Sequence, residues 1–132
     1  MAHEVIGQPF GSAIYFAVDY DPTQEDIDGA VSNYFTGVRA GLYAAAGSGQ
    51  MPYEVGVYGS GLCCAAMTER EMASFSWLSQ STGFAGSKSY ASDMRYNLIQ
   101  YLPSRVTMGD GTVLSFDPDG SNPDRPHGLF SL

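Results

Sequence analysis

Asp19 and Asp21 close an apolar run that begins at Ala13 and continues through Ile14, Tyr15, Phe16, Ala17 and Val18. The run reads as a β-strand. On a strand, alternate side chains share a face, so the two carboxylates are expected to point the same way, about 6–7 Å apart. Acids at the C-terminal end of an apolar strand sit where α/β proteins bind ligands and do chemistry. Paired carboxylates suit acid/base work on a polar substrate, one held protonated while the other stays ionised. The competing reading is structural: Asp19 and Asp21 cap the loop and the helix that follows.

Four further residues fall at or near expected strand ends. Tyr58 and Trp77 could lay aromatic faces on a sugar ring, or could pack in the core. Gln100 stands in an apolar strand, where an amide needs partners. Asp117 ends the last strand expected. Its surroundings, Asp-Pro-Asp-Gly-Ser-Asn-Pro-Asp from 117 to 124, could form a small calcium loop, but turn chemistry explains them. Gly59-Ser60-Gly61 lacks the remainder of a phosphate-binding loop or of a nucleophile elbow. Cys63 and Cys64 are adjacent, a spacing that strains a mutual disulfide, and no spaced His or Cys accompanies them. They read as small buried residues. His3 and His127 read as solvated. No metal site or cofactor is expected. An Asp-x-Asp pair also occurs in glycosyltransferases, yet no nucleotide signature supports that here.

The elements that must position these residues follow from periodicity. Gly7, Pro9 and Gly11 mark a loop entered from a preceding helix. After the first strand, Thr23 caps a helix expected over about 24–45, with acids in its first turn. Its apolar stripe is Ile27, Val31, Tyr34, Phe35, Val38 and Leu42, and Gly47 and Gly49 end it. Strands are expected at 53–58, 75–78, 97–101 and 112–116, with short helices at 62–70 and near 87–93. This βα alternation predicts a parallel sheet. Residues 120–132, rich in Pro and Gly, read as a loose tail.

Composition bounds the function. The chain has 132 residues, 14 acids and 6 bases, for a net charge of −8. That balance argues against nucleic acid, whose phosphates need clustered Lys and Arg, and against a polybasic membrane contact. No apolar run is long enough to span a membrane. Residues 1–12 carry no signal-peptide pattern.

Five stretches in order, AIYFAVDYD (13–21), YEVGVYGSG (53–61), FSWLSQSTGF (75–84), LIQYL (98–102) and FDPD (116–119), resemble a known family. It is the glycoside hydrolase-like domain of unknown function found in actinobacterial cell-wall-associated proteins, the DUF1906 group, related in fold to the family 25 lysozymes. The resemblance implies a (β/α)8 TIM-type barrel. The chain begins near the fourth strand of that barrel, so the expected fold is α/β. It would be a partial barrel of about the last five strands over residues 1–119, either a fragment or completed by a second chain. The implied activity is carboxylate acid/base chemistry on a polysaccharide, with peptidoglycan as the substrate, in an extracellular or cell-wall location. In the lysozymes the matching strand ends in Asp-x-Glu, so Asp21 takes the proton-donor role and Asp19 stabilises charge at the sugar ring. Asp21 is one methylene shorter than that Glu. A non-catalytic carbohydrate or cell-wall binding module is the rival reading. Tyr58, Trp77, Gln100 and Asp117 are the substrate-binding candidates.

Overall fold

The computed structural model describes residues 2–131. Strands β1 (Ala13–Ala17), β2 (Glu54–Gly59), β3 (Phe75–Leu78) and β4 (Leu98–Gln100) pair in that order, all parallel. The expected βα alternation is therefore present. The helices are α1 (Ala2–Ile6), α2 (Gln24–Asp26), α3 (Ser32–Ala46), α4 (Gly61–Glu69) and α5 (Ser87–Ser92). A π-helical turn, Ile27–Val31, joins α2 to α3, so one continuous helical segment covers the expected 24–45. Thr23 opens it with a capping box to Asp26, and Gly47 closes it at φ +62°.

One core holds the sheet against its helices. Val55, Val57 and Leu78 project from the same face of β2 and β3. They meet Ile27, Val31, Phe35 from the long helical segment, Cys63, Cys64 and Met67 from α4, and Tyr90 from α5. Tyr34 departs from the expected stripe and is exposed. The π turn shifts the helical phase, and Tyr34 ends beside Phe35 with its ring edge-on at 5.2 Å. Both thiols are buried and reduced, as small core residues should be.

The opposite sheet face carries Tyr15, Tyr58, Trp77 and Gln100. Gly56 makes room for it, since a Cβ there would overlap the Tyr15 ring. In a closed barrel this face would be the interior. The described residues form an open sheet, with β1 at one edge, and do not close into a barrel.

Two expectations are corrected at the C-terminal end. The stretch 112–116 is not a parallel strand of the sheet. It forms β6 (Val113–Phe116), paired antiparallel with β5 (Ser104–Thr107) in a separate exposed hairpin. Asp110-Gly111 makes the turn: Thr112 N–H donates to Asp110 Oδ1, and Gly111 takes φ +85°. The fifth strand of the sheet is β7 (Asp119–Ser121), antiparallel to β4. Residues beyond 120, expected to be loose, are tied down. Asn122 is buried and donates to the carbonyls of Met94 and Tyr96. Asn97 donates to Pro126 O, Tyr15 to His127 O, and Ala13 N–H to Gly128 O. These bonds satisfy strand and loop groups that would otherwise be left without partners.

Candidate functional site

The C-terminal rim of the parallel strands brings three expected residues together. Tyr58 is the last residue but one of β2, Trp77 lies opposite it on β3, and Gln100 closes β4. Tyr58 donates its hydroxyl to Gln100 Oε1 at 2.8 Å. The Trp77 ring meets Tyr58 edge-on, centroids 5.2 Å apart, and meets Tyr15 edge-on from the other side at 5.9 Å. The half-buried amide expected to need a partner has one in Tyr58.

Acids surround this aromatic row. Trp77 Nε1 donates to Asp119 Oδ1 at 3.1 Å. Burial holds the Tyr58 phenol above its usual range, and the negative charges of Asp19, Asp117 and Asp119 push it further the same way. Three carboxylates from two chain segments thus act on one hydroxyl. Such a rim repels anionic ligands and offers acceptors to a ligand rich in hydroxyls, with aromatic faces beside them.

Asp19 and Asp21 separate. Val18 N–H still donates to Tyr58 O at 2.8 Å, but sheet pairing stops there. Strand alternation therefore does not extend to Asp21. Asp19 is exposed and also borders a shallow cleft of about 280 Å³ with Tyr20 and Tyr34. Asp21 instead accepts the backbone N–H of Ala85 at 2.9 Å. The carbonyl of Ala85 receives Leu62 N–H at 2.9 Å, and Ser87 Oγ receives Gly61 N–H at 3.0 Å. Gly61 and Gly86 pack backbone to backbone, so close that a Cβ on Gly61 would overlap Gly86. Asp21 is thus an anchor for the loop that packs on α4, while Ser60 caps that helix through Cys63 N–H.

The model of the "Rv2525c-like, glycoside hydrolase-like domain" matches residues 1–120. The chain belongs to that family. Two Bacillus subtilis (strain 168) proteins are also similar to it. "Uncharacterized protein YbfG" is 29% identical over 117 residues, covering 87% of this chain and 16% of that protein. "Uncharacterized protein FadG" is 31% identical over 110 residues, covering 82% of this chain and 18% of that protein. The chain spans less than a fifth of either relative. No solved structure matches it.

Within this glycoside hydrolase-like domain, sequence reasoning passed over two residues of the rim as site candidates. Tyr15 reads as an ordinary strand aromatic until the register sets it beside Trp77. Asp119 lies in Asp-Gly-Ser, a stretch with turn chemistry and little strand propensity. Its spacing from Asp117 was the signal available. Among the described residues no cluster of His, Cys, Asp and Glu has the arrangement of a metal site, and no helix is long and apolar enough to cross a membrane.

Proposed function

We propose that this domain engages a polysaccharide, with cell-wall peptidoglycan as the ligand, along the rim formed by Tyr58, Trp77, Gln100 and Asp117. The observation that carries this reading is the polar-edged aromatic pair on the rim: Tyr58 hydrogen-bonded to Gln100, with Trp77 edge-on against it and its Nε1 donating to Asp119. Family membership supports a carbohydrate-related role. The hydrolytic form of the proposal makes Asp21 the proton donor and Asp19 the group that stabilises charge at the sugar ring.

A second reading, a non-catalytic cell-wall binding module, is favoured by the hydrogen bond from Ala85 N–H to Asp21 Oδ1. An acid engaged in anchoring a loop is poorly placed to protonate a leaving oxygen. The test is release of reducing ends from purified peptidoglycan by the wild type, Asp19→Asn and Asp21→Asn, with sedimentation binding to the same material. Turnover that vanishes in Asp21→Asn with binding retained supports hydrolysis. Binding without turnover in all three supports the module. Absence of binding in the wild type ends the polysaccharide reading.

A further inference from the structure

The hairpin of β5 and β6 stands apart from the rest of the fold. Neither strand joins the main sheet, and none of their residues enters the core. Register and alternation sort the side chains onto two faces. Val106 lies opposite Leu114, and Ser104 opposite Phe116, so these four share one face. Met108, two residues beyond Val106, continues that face, and its N–H donates to Thr112 O across the ladder. The other face carries Arg105, Thr107, Val113 and Ser115. One face is thus apolar and the other mostly polar. Yet Val106, Met108, Leu114 and Phe116 are each between 41% and 53% exposed. A two-stranded hairpin is marginally stable in water unless its apolar face is covered. A contiguous uncovered apolar face of this kind marks an interaction surface.

We propose that this face packs against the same face of a second copy of the chain, hairpin on hairpin about a twofold axis. Charge favours that occupant. The chain carries a net charge of −8, but residues 102–116 hold one base, Arg105, and one acid, Asp110. Arg105 lies on the opposite face and Asp110 in the turn, so the apolar face is uncharged. Two acidic copies can meet there without bringing like charges together. An uncharged face has nothing with which to select a different protein, whereas a twofold axis makes like on like self-complementary. A lipid surface calls for flanking Lys and Arg, and residues 102–116 offer only Arg105. The four apolar residues, with Ser104 and Thr112 among them, expose on the order of 500 Å² per copy, so a pair covers about 1,000 Å², the lower bound of a specific interface and the scale of a transient dimer. None of these residues belongs to the aromatic rim, so the contact is independent of the polysaccharide reading.

Sedimentation equilibrium of the whole chain, from micromolar to millimolar protein, measures the association. The mass should rise from 14.1 kDa toward twice that value as concentration increases. Leu114→Lys puts a charge into the apolar face and should weaken the dimer at least about tenfold. Val106→Thr keeps the β-branched shape and should weaken it about threefold. Val113→Lys places the same charge on the opposite face and should leave the dissociation constant unchanged. All three variants should keep the wild-type melting temperature in dilute, monomeric solution, since none of these residues is in the core. A chain that stays monomeric up to millimolar concentration overturns the proposal. So does a dimer that Leu114→Lys and Val106→Thr leave intact, which places the contact elsewhere, as on the open sheet. Flotation of a monomeric chain with phosphatidylcholine vesicles, lost in Leu114→Lys, also overturns it and assigns the face to lipid.

Discussion

Tyr58 on β2 reaches over β3 to hydrogen-bond Gln100 on β4, at 2.8 Å, with the Trp77 ring packed edge-on against it. The bond ties two strands that are not neighbours in the sheet. It fixes the tyrosine hydroxyl on the rim where Asp19, Asp117 and Asp119 exert their charge. The same bond gives the glutamine oxygen its donor.

Replacing Gln100 by Leu should therefore cost about 1 kcal/mol of stability, the net value of an ordinary hydrogen bond. Tyr58→Phe should cost a similar amount. The double variant should lose less than the sum, since either single change already breaks the bond. Urea denaturation of the four proteins measures this coupling, and strict additivity would mean the bond contributes nothing.

Asp21 makes a different prediction from that of a purely catalytic acid. Asp21→Ala should destabilise the chain by about 1 kcal/mol and speed amide hydrogen exchange at Ala85. Asp21→Asn keeps an oxygen acceptor for the Ala85 N–H and should leave exchange nearly unchanged. Wild-type exchange at Ala85 in the alanine variant would contradict the anchoring role.

The C-terminal segment should behave as part of the fold. Asn122→Ala removes the donor that serves the Met94 and Tyr96 carbonyls. Leaving those acceptors unpaired in a buried site should cost about 2 kcal/mol. A melting temperature equal to that of the wild type would show that residues beyond 120 do not brace the sheet.

Alkaline pH should weaken the protein through its buried thiols. Burial pushes the Cys63 thiol from 9.0 up to about 12 and raises Cys64 as well. The folded state thus holds protons that the unfolded chain releases. Stability from this source is fully present below about pH 9 and is lost as pH climbs toward 12. The urea midpoint should fall across that window, and less steeply in Cys63→Ala. At pH 8 both thiols should resist thiol reagents until the chain unfolds. Rapid labelling in native conditions would refute their burial.

The features legible in the sequence were those governed by local pattern. The capped helical segment from Gln24, the parallel strands at β1 to β4 and the short helices between them follow from periodicity, Thr23 and Gly47. Tyr58, Trp77 and Gln100 were legible as residues at or near strand ends, but not Tyr15, which only the register sets beside Trp77. The hairpin of β5 and β6 was not legible, because the strand pattern at 112–116 does not say which sheet a strand joins.

What the tertiary structure alone decided is pairing over distance. β7 is Asp-Gly-Ser, three residues with no intrinsic strand preference, and exists because the edge of β4 offers it hydrogen bonds. Asp19 and Asp21 are two positions apart in sequence, yet one acts on Tyr58 and the other holds Ala85. Sequence spacing predicts a shared face only while sheet pairing continues, and here it stops at Val18. Beyond that point the backbone is free to turn, and the partners that reach it from other segments choose where each carboxylate goes.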